Sequence, residues 1–203
     1  LVAIQNGAEK AVKYTVSDTK SRAPGWVAQV VTGVYNIKKT EITPSQGKNA
    51  KPKKMAGSIR VEGDIIESMT LVYTGRPLTP VRFGMTPKNP PKGKKYTLKM
   101  QVYKGKPEVI GRYSNTRTPG GPFAKRSHNI LMGTGNTKEG GVGYIPFQRM
   151  SENRNDLRKF TTVSVPQMIT SEAVAPLLQE RLNQEVGKRF DHNMKRQLGM
   201  SPR

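Results

Sequence analysis

The stretch YTLKMQVYKGKPEVIGRY, residues 96–113, carries the clearest secondary-structure pattern in the chain. Its first half alternates, with Tyr96, Leu98, Met100 and Val102 separated by more polar side chains. A period of two is typical of a half-buried β-strand. KGKP at 104–107 supplies a turn, and residues 108–113 predict the returning strand. The stretch therefore predicts a β-hairpin whose outer face carries lysines.

Short β-like runs broken by glycine and proline continue on both sides of this hairpin, from Gly57 to Phe160. The further candidate strands are 58–62, 65–73, 81–86, 123–132, 144–150 and 160–165. One other stretch, residues 43–56, contains too little to bury for regular structure, and another is rich in glycine and proline. We expect a flexible basic loop at 43–56 and a Gly/Pro-rich insertion at 114–142.

Helical patterns occur at the two ends of the chain. Residues 8–22 predict an amphipathic helix, and Pro24 predicts the start of a second helix that reaches about Lys39. The only tryptophan, Trp26, is expected to anchor the core. After Pro166 we expect a long C-terminal helix, capped by Thr170 or Ser171.

An apolar residue recurs every four positions along this C-terminal helix. Because an α-helix repeats every 3.6 residues, such a stripe rotates by about 40° per step. One end can then contact the helix's own chain and the other a neighbour. The alternative is a core helix with irregular packing. The predicted partner interface comprises Leu178, Leu182, Val186, Phe190 and Met194.

These elements predict one α+β domain over residues 1–203. We expect an antiparallel, strongly curved β-sheet with two N-terminal helices and a long C-terminal helix packed on it. No apolar run approaches the ~20 residues that span a bilayer. Residues 1–10 lack a basic region followed by an apolar one, so we expect neither membrane insertion nor export. The absence of cysteine excludes disulfides, thiol nucleophiles and cysteine-ligated zinc.

Positive charge is concentrated in the middle of the chain, which has 35 Lys+Arg and 14 Asp+Glu overall. Residues 76–126 contain 13 basic residues and 1 acidic residue. This imbalance predicts a surface that meets phosphates or an acidic protein partner, since self-repulsion disfavours the alternative of a lysine-rich surface left in solvent. The candidate contact residues are Arg76, Arg82, Lys88, Lys92, Lys94, Lys95, Lys99, Lys104, Lys106 and Arg112.

No arrangement of residues indicates catalysis, a metal or a cofactor. His128 and His192 lie in unlike segments, and Glu108 is the only acidic residue in 76–126. The glycine-rich stretch 133–143 lacks the Gly-Lys-Ser/Thr ending of a phosphate-binding loop. Because no base-reading motif accompanies the basic segment, we expect its tyrosines to pack on strands rather than stack on bases. An enzyme whose residues meet only in space is the remaining alternative.

Several stretches resemble, in order, the minor tail protein Z (tail-completion) family of long-tailed bacteriophages. They are TGRPLTPVRFGMTPK at 74–88, YTLKMQVYKG at 96–105, GYIPFQRM at 143–150, VSVPQMI at 163–169 and the C-terminal amphipathic helix. The insertion at 114–142 departs from the family pattern.

The resemblance implies a non-enzymatic α+β virion protein in a hexameric ring at the head-proximal end of the tail. It further implies assembly in the host cytoplasm, contact with the tail terminator or the head-tail connector at the neck, and non-specific contact with double-stranded DNA. The alternative is a cellular basic nucleic-acid-binding protein of the ribosomal-protein kind.

Overall fold

The computed structural model divides the chain into two compact units. The first unit comprises residues 1–32, 39–76 and 164–203, and the second comprises 33–38 and 77–163. The residues that the structure describes are 2–43, 58–62, 70–89, 91, 94–113, 130–134, 143–150 and 156–199. The predicted loop at 43–56 lies outside them apart from Thr43, and so does the predicted insertion at 114–142 apart from 130–134.

The α+β fold class is confirmed, with four α-helices and only antiparallel strand pairs among the described residues. The strongly curved sheet is wrong, because the strands form three small sheets, β1-β2, β3-β4 and β5-β6-β7. Strands of three to six residues are too short to accumulate strong curvature. The elements are α1 (Val2–Val34), α2 (Lys39–Ile42), β1 (Ser58–Glu62), β2 (Thr70–Thr74), β3 (Tyr96–Met100), β4 (Glu108–Tyr113), β5 (Ile130–Thr134), β6 (Tyr144–Arg149), β7 (Leu157–Lys159), α3 (Val165–Ile169) and α4 (Ala175–Gln197).

The first unit contains one long helix, α1, where the sequence predicted two. Pro24 lies inside α1, although a proline removes one helical hydrogen bond. The reason is a buried stripe that continues on both sides of Pro24, so that burial of this face favours one continuous helix. Its members are Ala11, Thr15, Thr19, Ala23, Val27 and Val31. Only the four-residue helix α2 follows α1 before residue 44.

The end of α4 packs along the beginning of α1 within the first unit. The amide of Asn193, 3% exposed, donates to Thr15 Oγ1 at 3.2 Å and to Asp18 Oδ2 at 3.4 Å. A Cβ placed on Gly7 would lie 3.5 Å from Leu198 Cδ2. Residues later in α4 therefore lie opposite residues earlier in α1, so the two helices run antiparallel.

A capping box fixes the start of α3. Gln167 N–H donates to Ser164 Oγ at 3.4 Å, and Ser164 N–H donates to Gln167 Oε1 at 2.8 Å. The cap predicted at Thr170 or Ser171 is wrong, since Val174 precedes α4 and provides no side-chain cap. Val165 and Met168 are fully buried, and α3 lies against β2.

The second unit is organised around β3. Leu98 and Met85 are buried together, and they contact the half-buried side chains Val81, Tyr96, Ile110, Met132 and Phe160. β3 pairs with β4 in the predicted hairpin, with a bulge between Leu98 and Lys99. On its other edge, Thr86 and Lys99 exchange two backbone hydrogen bonds of 2.9 Å. β3 is thus held from both sides.

Within the described ranges, none of the helices has the length and apolar character needed to cross a membrane.

The Asn193 contact gives a first stability prediction. We expect Asn193→Ala to lower the free energy of unfolding by about 1–3 kcal/mol, because the Thr15 hydroxyl and the Asp18 carboxylate both lose a donor. Asn183 is exposed on α4, so the control Asn183→Ala should change the free energy of unfolding by no more than about 0.5 kcal/mol. Urea unfolding measures both variants, and equal losses would contradict this role for Asn193.

The capping box gives a second stability prediction. Ser164→Ala should cost about 1 kcal/mol of stability, because the Gln167 backbone N–H loses its acceptor, Ser164 Oγ, at the start of α3. Thr170→Ala changes an exposed hydroxyl at the other end of α3 and should cost less than about 0.5 kcal/mol. Thermal unfolding compares them, and a larger loss for Thr170→Ala would restore the cap predicted from the sequence.

Candidate nucleic-acid interface

The second unit carries most of the excess positive charge. Its sequence spans contain 18 basic and 4 acidic residues, against 17 basic and 10 acidic residues in the first unit. The charge asymmetry seen along the chain therefore follows the division into units. A surface of one sign concentrates counter-ions of the other, so the second unit is the part expected to meet a polyanion.

The outer face of the β3–β4 hairpin brings two of the predicted basic residues together. Leu98 points into the core, so the alternation of β3 directs Thr97 and Lys99 outward. Opposite them in the register stand Arg112 and Val109. Lys99 and Arg112 are exposed, and Val109 is 56% exposed. This part of the sheet therefore faces solvent with two cations and little else that is charged.

The turn of the hairpin adds two more lysines. Lys106 N–H donates to the carbonyl of Tyr103 at 3.2 Å and closes the turn. Gly105 has a φ of 76°, a left-handed value that glycine adopts without steric cost. Lys104 and Lys106 are both exposed on either side of it. The turn geometry therefore projects both side chains away from the unit.

A stacked pair of tyrosines lies at the base of this turn. The ring centroids of Tyr35 and Tyr103 are 4.8 Å apart at an interplanar angle of 29°. Their hydroxyl oxygens share a hydrogen bond of 3.3 Å. That hydrogen bond and the nearby Tyr35 hydroxyl raise the pKa of Tyr103 above its ordinary value, with smaller contributions from burial and Glu108. Tyr103 therefore stays neutral at physiological pH.

The remaining candidate residues fall into three groups. Lys88, Lys94 and Lys95 are exposed in the second unit. Arg82 is half-buried and already has an interaction partner, and Arg76 is exposed but belongs to the first unit. Lys92 lies outside the described residues.

We define the basic surface as the exposed cations of the second unit that the sequence singled out. None of them forms an ion pair with a carboxylate of the described residues. Their side chains are thus available to an external anion. They are Lys88, Lys94, Lys95, Lys99, Lys104, Lys106 and Arg112.

The predicted partner stripe on α4 belongs to the first unit. Leu178 is buried at 8% exposure, whereas Leu182, Val186, Phe190 and Met194 are half-buried. These burials do not decide between a stripe that rotates around the helix and irregular core packing. The partner that the sequence predicts for this stripe stays a prediction.

The described ranges contain no group of three His, Cys, Asp or Glu side chains that could hold a metal. His192 is exposed on α4, and His128 is not among the described residues. Of the glycine-rich stretch, Gly133 and Thr134 lie in β5, and Gly143 precedes β6.

Sequence reasoning missed Tyr35 and Asn193. Tyr35 meets Tyr103 across 68 residues, and Asn193 meets Thr15 across 178 residues. Asn193 lies within the helix α4, and Tyr35 directly follows the helix α1. No local pattern distinguishes them.

Comparison with known proteins finds no matching family model, no matching curated protein and no matching solved structure.

Proposed function

We propose that this protein is a non-enzymatic structural component of a bacteriophage virion that completes the head-proximal end of the tail, with its basic surface toward DNA. The observation that carries the proposal is the set of exposed basic side chains in the second unit that lack a carboxylate partner among the described residues. The ring, its six-fold symmetry and its contacts with the tail terminator and the connector rest on the resemblance to the minor tail protein Z family.

The composition of the basic surface favours DNA over acidic protein neighbours. All but Arg112 are lysines. Lysine is a flexible, strongly hydrated point charge that neutralises phosphate without a fixed geometry. Protein interfaces, in contrast, are enriched in arginine and depleted in lysine. A lysine-rich surface thus suits a polyanion of regular charge spacing better than a folded acidic partner.

The same composition suits DNA that must move. Phosphate contacts position a nucleic acid but carry no sequence information. Their strength falls with salt, because each neutralised phosphate releases counter-ions. If every member of the basic surface neutralises one phosphate, the slope of log K against log salt is about −6. Such binding attracts DNA of any sequence and leaves it free to slide.

A charge-neutralisation experiment tests the DNA-facing surface. We expect the combined variant Lys94→Gln, Lys95→Gln, Lys99→Gln and Lys106→Gln to bind duplex DNA of any sequence more weakly. The salt slope should become shallower by about 3 to 4, since each lysine accounts for about 0.9 of it. Fluorescence anisotropy across a salt series measures both quantities.

The control removes the same amount of charge from the first unit. Lys10, Lys13, Lys39 and Lys195 are exposed there, and their replacement by glutamine gives an equal net charge. This control should keep most of the salt slope. If both variants lose the same slope, net charge alone accounts for binding, and the basic surface has no special role.

The ring and the tail are tested with the protein's neighbouring gene products. Negative-stain imaging of the purified mixture should reveal rings, or incorporation of the protein into tail particles. Neutralising the basic surface should then impair DNA delivery more than ring assembly. Tight binding of nucleic acid by a protein that stays monomeric under all conditions would instead support the cellular nucleic-acid-binding alternative.

A further inference from the structure

The turn of the β3–β4 hairpin presents an aromatic ring that is covered on one side only. Tyr103 is 38% exposed although Tyr35 stacks against it with a centroid distance of 4.8 Å. Tyr35 itself is 2% exposed. Because Tyr35 occupies one face of the Tyr103 ring, the opposite face is the one left for a ligand.

This ring is held in place before any ligand arrives. Its hydroxyl shares a hydrogen bond with the buried Tyr35. The backbone on either side of it is also fixed, because Asn36 N–H donates to the Val102 carbonyl at 2.8 Å and Lys104 N–H donates to the Val34 carbonyl at 3.0 Å. A preorganised group loses little conformational entropy on binding. The exposed face is therefore a rigid platform.

Two cations belong to the same turn as the platform. Lys104 directly follows Tyr103, and Lys106 closes the turn through the Tyr103 carbonyl. Both are exposed, and neither pairs with a described carboxylate. An aromatic face followed in the same turn by two exposed lysines matches a nucleotide, whose base offers a π-face and whose phosphates carry negative charge. Aromatic stacking combined with a basic groove is how single-stranded nucleic acid is bound without sequence preference.

We propose that Tyr103 is a stacking platform for an unpaired base of single-stranded nucleic acid, with Lys104 and Lys106 neutralising the adjacent phosphates. The inference rests on the proposed function only in that a nucleic acid must approach the basic surface. Paired bases within a duplex are already stacked, so a duplex uses the lysines alone. The sequence predicted that the tyrosines pack on strands. Tyr96 does so, because it packs against the Met85–Leu98 core. Tyr103 would have a different role under this proposal.

The most direct test changes the ligand and leaves the protein intact. A short oligothymidylate is compared with an abasic strand of the same length and the same phosphates, by fluorescence anisotropy at fixed salt. The oligothymidylate should bind about 5- to 150-fold more tightly, the factor expected for one stacked base. Equal affinities would overturn the proposal.

Substitutions at the platform supply the second test. Tyr103→Leu removes the π-face and should weaken oligothymidylate binding by about 5- to 150-fold, whereas duplex binding should change by no more than about twofold. Tyr103→Phe keeps the ring and should retain selectivity for the oligothymidylate over the abasic strand. Tyr14→Leu is the matched control, because Tyr14 is an exposed tyrosine of the first unit.

The outcomes separate this inference from the proposed function. If bases confer no advantage while duplex binding keeps its salt slope, the stacking platform is refuted and the DNA-facing surface stands. If Tyr103→Leu weakens single-strand and duplex binding equally, the residue acts on the hairpin as a whole and the platform is again refuted. If no nucleic acid binds, both proposals fail. Should circular dichroism show Tyr103→Leu misfolded, the comparison with the abasic strand still decides.

Discussion

The backbone hydrogen bonds of the strand that begins at Tyr96 are the constraint on which the second unit depends. Leu98 and Val102 are buried, and backbone polar groups along this strand have partners within the protein. β4 supplies them along one edge, and Thr86 and Phe83 supply them along the other. At the end of the strand, residues 34–36 form the last bonds. Three segments, β4, residues 83–86 and residues 34–36, therefore converge on one strand.

This convergence explains why a hairpin with so many like charges can keep one conformation. Lysine and arginine side chains on the outer face repel one another, and that repulsion opposes close pairing of β3 with β4. The buried side and the two hydrogen-bonded edges resist it. The backbone positions of the charged residues are thus fixed, while their long side chains stay mobile. Under the proposed function, a polyanion relieves the repulsion by neutralising these charges, and this requires no specific geometry.

The sequence predicts those features of the fold that depend only on residues close together in the chain. The period-two alternation around Leu98 gave the hairpin and its outward lysines, because strand geometry alone fixes which side chains share a face. Pro24 was interpreted as a helix start, yet the buried stripe from Ala11 to Val31 carries α1 through it. The Ser164–Gln167 box was present in the sequence, but an α3 of five residues is too short for a periodic apolar pattern. Tyr35 and Asn193 act through partners far along the chain, so folding alone reveals them.

The central proposal is that the exposed lysines of the second unit bind a polyanion. Acetylation of lysines followed by mass spectrometry, with and without duplex DNA, tests it most directly. The account predicts that DNA protects Lys94, Lys95, Lys99, Lys104 and Lys106 from acetylation, whereas Lys10, Lys13 and Lys39 react as before. Equal protection of both groups, or protection of the first unit alone, would contradict it.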